Sequence, residues 1–222
     1  MQSGRVVLDA VDVRCVSLAT LRGRVAVVPQ ELCIFHGSWR QNLDPMGEFE
    51  EDELKRVLRL TRLENFLLRT ARHCVEALEP GPAMLLCLCR ALLRLLQGRS
   101  KLLMMDAATC RFSPASDADL TAIILRYCRR RGAATLQVSQ RAQQAPLYDE
   151  VAVMASGRVV EQGPAKKLWV KDGALRRVAK DQGTERMRKT IDLEGSALLY
   201  PPGTHNMYTC CATKLKAWIR QR

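Results

Sequence analysis

Apolar residues over the first 30 positions fall in short blocks separated by turn formers and caps. Arg5 to Leu8 reads as a strand, Asp9-Ala10 as a turn and Val11 to Val13 as the next arm, with Ser17 placed to cap a short helix. Val25 to Val28 is a buried-strand pattern that stops at Pro29, whose missing N–H suits a strand end. Ser38 is placed to cap another short helix. From Glu51 to Arg69, residues Leu54, Val57, Leu58, Leu63, Phe66 and Leu67 recur at roughly helical spacing, which predicts a helix throughout.

The middle of the chain repeats the alternation more strongly. An apolar helix is predicted from about Ala83 to Leu96, followed by a loop at Gln97-Gly98-Arg99 and a buried strand over Lys101 to Met105. Asp106 stands at the carboxyl end of that strand. A second helix is predicted over Ala118 to Arg131, ended by Gly132, and Ala134 to Val138 forms a further strand. Glu150 to Ala155 and Arg158 to Glu161 flank Ser156-Gly157, a hairpin signal. Strands separated by helices of this length imply an α/β fold with a parallel sheet and flanking helices, and the hairpin adds an antiparallel edge. Periodicity fades from about Gly183, Pro201-Pro202-Gly203 breaks any helix, and Lys214 to Arg220 is left as a last turn or two. Residues 183–222 therefore read as a basic, weakly structured C-terminal tail behind a principal domain over 1–182.

Composition supports a folded body: 47% of the 222 residues are hydrophobic and 26% charged. The net charge of +12 suggests an acidic partner, but basic residues are spread along the chain. The densest run, Arg129-Arg130-Arg131, ends a predicted helix, where cations favour the dipole. The nine cysteines include no Cys-x-x-Cys pair, and their apolar settings fit reduced thiols in a cytosolic compartment. The three histidines share no metal-ligand spacing. A spanning helix needs roughly 20 largely uncharged apolar residues, and the best candidate, Ala83 to Leu96, is interrupted by Arg90 and Arg94. The expectation is a chain with no transmembrane segment, cytoplasmic or peripheral at the cytoplasmic face of a membrane.

In parallel α/β sheets ligands lie beyond the carboxyl ends of the strands, so Gln30 and Asp106 would point into one crevice. Five segments then carry a resemblance: Leu21 to Gln30, Gln41-Asn-Leu-Asp-Pro-Met-Gly-Glu48, Leu85 to Leu93, Leu102-Leu-Met-Met-Asp-Ala-Ala-Thr109 and Gly157 to Pro164. In this order and near this spacing they resemble an ABC-transporter nucleotide-binding domain. The Asn-Leu-Asp-Pro segment looks most like the second such domain of the multidrug-resistance-associated (C) subfamily. The resemblance implies a P-loop NTPase-like (ABC ATPase) sheet, with residues 38–97 as its helical signature subdomain and ATP and Mg as cofactors. It also implies membrane domains or a second nucleotide-binding domain as partners. Gln30 matches the glutamine that senses the nucleotide's magnesium and water, and Asp106 matches the aspartate that holds magnesium through water.

The departures from the family pattern are as specific as the matches. A phosphate loop places backbone N–H groups and a lysine around the phosphates, which takes Gly-x-x-x-x-Gly-Lys-Ser/Thr. None of the 13 glycines is followed by lysine, so the loop is missing and the chain reads as N-terminally truncated, without the adenine-stacking aromatic. Ala107 stands where the family carries a general-base glutamate, a group typically worth about 10²–10⁴ in rate. Gln140 replaces the histidine after the next strand; it can still donate a hydrogen bond to phosphate but cannot titrate near neutrality. The signature segment aligns with Leu78-Glu79-Pro80-Gly81-Pro82. Glu79 there replaces a phosphate-binding serine, with a repulsion of about 4 kcal/mol toward a phosphate charge about 4 Å away at an effective dielectric of about 20. Pro82 lacks an N–H to give.

The sequence thus points to a degenerate or partial ATP-binding-cassette domain, related to ATP-driven membrane export and unable to hydrolyse ATP alone. Under that reading no residue is catalytic, and Gln30, Asp106, Gln140 and Gly81 remain as nucleotide contacts, with magnesium at Gln30 and Asp106 only if nucleotide binds. The alternative is an ATPase half-site completed by another polypeptide carrying a phosphate loop. A basic nucleic-acid-binding module is a minor alternative with no motif and few aromatics behind it.

Overall fold

Val25 to Val28 alternates between the two faces of a strand: Ala26 and Val28 are buried and Val27 is exposed. In the computed structural model, which describes residues 5–64, 67, 78–182 and 208–213, the chain forms two compact units that divide after Leu136.

The first unit opens with a hairpin of β1 (Val7–Leu8) and β2 (Val11–Asp12), turned by Asp9 and Ala10, both at positive φ. Helix α1 (Leu18–Arg24) is capped by Ser17, whose hydroxyl accepts the Thr20 N–H at 3.1 Å, and runs straight into β3 (Val25–Val28). β3 pairs in parallel with β4 (Leu102–Asp106), Val25 lying opposite Leu102 and Val28 opposite Met105. The amino ends of three strands are tied in sequence. Lys101 N–H donates to Arg24 O at 3.0 Å, and Ala134 N–H, at the start of β5 (Ala134–Ser139), donates to Lys101 O at 2.9 Å.

Further helices of this unit are α2 (Trp39–Leu43), α3 (Glu51–Leu60), α4 (Pro80–Leu96) and α5 (Pro114–Arg130). Helix α4 is apolar nearly all round, as a helix buried on several sides must be. Leu86, Leu88, Leu92 and Leu93 lie in one core with Leu54 and Val57 of α3, Leu103 of β4 and Ile124 of α5. Three helix boundaries differ from the sequence expectation. The run from Glu51 breaks after Leu60: the Thr61 hydroxyl donates to Val57 O at 3.1 Å, and Arg62 adopts φ +60°, a helix-ending geometry that usually falls to glycine. Helical residues resume at Glu64 and Leu67, and the rest of 65–77 lies outside the described residues. Both α4 and α5 begin earlier than their apolar periodicity, because each accepts a proline at its first position, where the lost N–H has no helical partner anyway.

A buried polar knot joins the segment after β3 to α4. Asn42, fully buried, donates from Nδ2 to Phe35 O at 2.8 Å and Ser38 O at 3.1 Å, and its Oδ1 accepts the Phe35 N–H at 2.7 Å. Arg90 of α4 completes it, donating to Asn42 Oδ1 at 2.9 Å, to Asn42 O and to Cys33 O, with its guanidinium 4.8 Å from the Phe35 ring centroid. Asp44 then accepts the N–H groups of Glu48 and Phe49 at 3.0 and 2.9 Å. The Asn-Leu-Asp-Pro segment is therefore the hydrogen-bonding framework of its own loop.

In the second unit, β6 (Glu150–Ala155) and β7 (Arg158–Pro164) form the expected hairpin. Ser156 and Gly157 turn it, both at positive φ as a two-residue primed turn requires. On its other side β6 pairs antiparallel with β8 (Tyr208–Thr213), Glu150 opposite Ala212 and Met154 opposite Tyr208. This strand arises inside the stretch expected to be a weakly structured tail, and the turn expected over Lys214 to Arg220 lies outside the described residues. Helix α6 (Ala165–Val170) and a further helix, α7, over 174–182 follow the hairpin. The Glu161 carboxylate accepts the Leu175 N–H at 2.8 Å at the start of α7.

Replacing Asn42 by alanine would remove the side-chain partner of the Phe35 N–H and carbonyl and one of the acceptors of Arg90, which keeps the Asn42 and Cys33 carbonyls. At about 1–3 kcal/mol for a buried group left unsatisfied, Asn42→Ala is expected to lower the thermal midpoint by about 4–10 °C. Calorimetric or circular-dichroism melting checks this; a shift under 2 °C would contradict it. Burial also pushes the Cys89 thiol up to about 12, so at pH 8 iodoacetamide should modify the exposed Cys15 and Cys33 and leave Cys89 unmodified, as read by peptide mass spectrometry.

Candidate functional site

Parallel pairing of β3 with β4 sends both chains out at the same end of the sheet. Gln30 lies two residues beyond Val28, and Asp106 follows Met105, the register partner of Val28, so the two stand at neighbouring strand ends. Both are exposed. The structure thus brings these two sequence-predicted residues to one edge.

Ala107 follows Asp106 with φ +46° and is nearly fully buried. Its carbonyl accepts the Cys110 N–H at 3.1 Å, and Thr109 O accepts the Phe112 N–H at 3.2 Å, so the chain coils tightly as it leaves β4. A non-glycine residue in the left-handed region costs about 1–2 kcal/mol. That tight turn turns the chain toward Ser113, the cap of α5, whose hydroxyl accepts the Ser116 N–H at 3.3 Å.

The same turn carries Phe112 against the start of α4: a side chain at Gly81 would meet the Phe112 ring at 3.5 Å. Segment 78–82 is therefore a helix start, with Glu79 at the cap and Pro80, Gly81 and Pro82 in the first turn. The first turn of a helix ordinarily presents several free N–H groups to an anion. Here two of them are missing with the prolines, and the Ala83 N–H is engaged by Glu79 O at 3.1 Å. Gly81 keeps the N–H that remains in that turn. Glu79 makes no side-chain capping bond and is exposed. Exposure weakens the repulsion expected from sequence, because at the dielectric of water two charges about 4 Å apart interact by only about 1 kcal/mol.

The other end of α4 is fastened near the amino ends of the strands. Arg94 donates to Arg22 O, and the Ser100 hydroxyl donates to Gly23 O at 3.2 Å. With a rise of about 1.5 Å per residue, the Glu79 cap stands roughly 24 Å from that anchor, compared with roughly 17 Å for the length of β4. Arg90 and Arg94 were read from sequence only as interruptions of an apolar run. Their spacing of four on a helix that is otherwise apolar was the available signal that both reach across to backbone carbonyls.

Gln140 belongs to the second unit, where it follows β5 and is exposed. Its backbone carbonyl accepts a hydrogen bond from Gln182 Nε2, and Gln182 Oε1 accepts the Ala142 N–H at 2.9 Å. Nearby in that unit the Tyr148 hydroxyl donates to Gln137 Oε1. No group of three or more metal-ligating side chains occurs among the described residues, and no described helix is long and apolar enough to cross a membrane.

Comparison with known proteins agrees with this architecture. No protein-family model matches the chain. ATP-binding cassette sub-family C member 2 of Mus musculus is 31% identical over 196 residues, covering 84% of this chain and 12% of that protein. The ABC-type transporter cctS of Talaromyces islandicus is 34% identical over 193 residues, covering 81% and 12%. ATP-binding cassette sub-family C member 3 of Mus musculus is 31% identical over 187 residues, again covering 81% and 12%. The chain spans about an eighth of the length of these relatives. Among solved structures, a bacterial Atm1-family ABC exporter with ATP bound superposes with a TM-score of 0.71 at 20% identity, over 82% of this chain and 32% of that one. The fold is that of an ABC ATPase domain, and the chain is homologous to sub-family C ABC transporters.

The packing at Gly81 gives a direct check on the helix start. A methyl group there would make ordinary contact with Phe112, and alanine is the better helix former by about 1 kcal/mol. Gly81→Ala is expected to leave the melting temperature unchanged or raise it by up to about 4 °C; a fall of 5 °C or more would show that the first turn tolerates no side chain.

Proposed function

We propose that this homologue of sub-family C ABC transporters is a partial and degenerate cassette domain, related to the second nucleotide-binding domain of that subfamily, that acts through its partners and not by hydrolysing ATP alone. The observation that carries the reading is the first turn of α4, where Glu79 caps the helix and Pro80 and Pro82 remove two of the N–H groups with which a helix start holds an anion. A phosphate seat needs those donors, and this one keeps Gly81. The residues present do not fit a complete Mg-ATP site: Gln30 and Asp106 could hold magnesium at the sheet end, but the phosphate loop is missing from the sequence.

Two substitutions extend the same reading. Ala107 offers no carboxylate to accept a proton from water, and Gln140 offers an amide where a titrating imidazole would serve. Its partners would be transporter membrane domains or a second nucleotide-binding domain, met at the cytoplasmic face of a membrane. Purified chain supplied with Mg-ATP should release phosphate at the rate of buffer. Turnover above that rate that is abolished by Asp106→Asn would refute the proposal, since it would mean that Asp106 still serves a working site.

A second reading is favoured by one specific observation. Val27 and Met104 are register partners on β3 and β4, and both are exposed, whereas parallel sheets are ordinarily covered on both faces. Another polypeptide carrying a phosphate loop could cover that face and complete an ATPase half-site. Co-expression with such a fragment should then raise both solubility and phosphate release; if neither improves, the second reading fails.

A further inference from the structure

Two cysteines from distant parts of the first unit meet beside Arg90. Cys33 lies between β3 and α2, where residues 29–38 form neither helix nor strand, and it is exposed. Cys87 lies 54 positions later on α4 and is buried. Its thiol donates to Cys33 O at 3.6 Å. Arg90, one turn further along α4, holds both residues with one guanidinium nitrogen: Nη1 donates to the Cys33 carbonyl and reaches Cys87 Sγ at 4.0 Å. Cys89 takes no part in this contact. Side chains two residues apart on a helix point about 200° apart, and Cys89 meets the Thr61 hydroxyl at 3.1 Å and Val57 O at 3.7 Å, on the side of α3.

The carbonyl oxygen and Cα of one residue are about 2.4 Å apart, so the Cys87 sulfur stands no more than about 6 Å from the Cys33 Cα. A disulfide spans about 4.4–6.8 Å between its Cα atoms. The approach is therefore of the length such a bond bridges once the Cys33 side chain turns toward α4, and an exposed side chain changes rotamer within nanoseconds. The two thiols differ in access. Cys33 meets solutes directly, whereas Cys87 is shielded from them and lies against the Cys33 backbone. An accessible thiol beside a protected one is the arrangement of an oxidation sensor with its resolving partner.

We propose that Cys33 and Cys87 are a peroxide-responsive thiol pair, reduced at rest and joined as a disulfide by hydrogen peroxide or an organic hydroperoxide. The Cys33 sulfur attacks one peroxide oxygen, the O–O bond breaks, and Cys33 sulfenic acid forms with release of water or an alcohol. The Cys87 sulfur then attacks the Cys33 sulfur, the S–O bond breaks, and the leaving hydroxide takes the Cys87 thiol proton and departs as water. In all, two thiols lose two electrons and one peroxide gains them. The bond fastens covalently to α4 the segment that follows Gln30, which Arg90 holds by hydrogen bonds. A thiol reductant restores the resting pair. The pair is independent of nucleotide chemistry and stands or falls apart from the proposed function.

The test uses the full reduced chain, treated with hydrogen peroxide in dilute solution, alkylated at its remaining thiols and read by peptide mass spectrometry. A Cys33–Cys87 link is expected, removed by dithiothreitol and lost in Cys33→Ser and in Cys87→Ser. In Cys87→Ser, Cys33 should stop at the sulfenic acid and be trapped by dimedone. The oxidised chain should melt about 5–10 °C above the reduced one, because the link closes a loop of 54 residues. Cys33 left as a thiol, carried on to the sulfinic acid, or joined to a cysteine other than Cys87 overturns the proposal. A Cys33–Cys87 link that leaves the melting temperature unchanged or lower overturns it too, since the segment would not then be fastened. Should Cys87→Ser fail to fold, fragment ions of the unsubstituted oxidised chain, which separate Cys87 from Cys89, decide the pairing.

Discussion

The arrangement depends most on Arg90. This single guanidinium on α4 binds Asn42 and the Cys33 carbonyl, and so holds the loop that follows β3 against the helix that precedes β4. Its cost of burial is met by carbonyl acceptors and by the Phe35 ring. From that contact two consequences follow. The strand end bearing Gln30 is kept beside the one bearing Asp106, and the start of α4 is projected well beyond the point where the helix is anchored.

What α4 presents at its start then limits the chemistry. A helix that opens with free N–H groups is an anion site, and one that opens Glu-Pro-Gly-Pro is mostly a structural beginning. Phe112, carried there by the tight turn through Ala107, packs on the same spot. The fold of an ABC ATPase domain is thus present in sheet and helices, while Pro80 and Pro82 leave the first turn of α4 with the N–H of Gly81.

Much of this was legible in the sequence, for stated reasons. Apolar runs ending at Pro29 and Asp106 marked both strands, and Ser156-Gly157 marked the hairpin, because each depends on local conformational preference. Boundaries were less legible where a residue acts through its terminal geometry: Pro80 and Pro114 begin helices that periodicity placed three or four residues later, and Arg62 ends one without glycine. The buried role of Asn42 and Arg90 was not legible at all, since a polar residue's partners 48 positions away leave no periodic trace. Strand β8 escaped for the same reason: its only signal was a short uncharged run, and its pairing with β6 is entirely non-local.

The central claim is that the residues of this chain do not by themselves form an ATP site, and equilibrium binding tests it most directly. Isothermal titration of the full chain with Mg-ATP should give no saturable heat up to millimolar nucleotide, with the same trace for Asp106→Asn. A dissociation constant in the micromolar range, weakened by Asp106→Asn, would contradict the account, because it would require phosphate-holding groups that the start of α4 and the end of β4 do not offer.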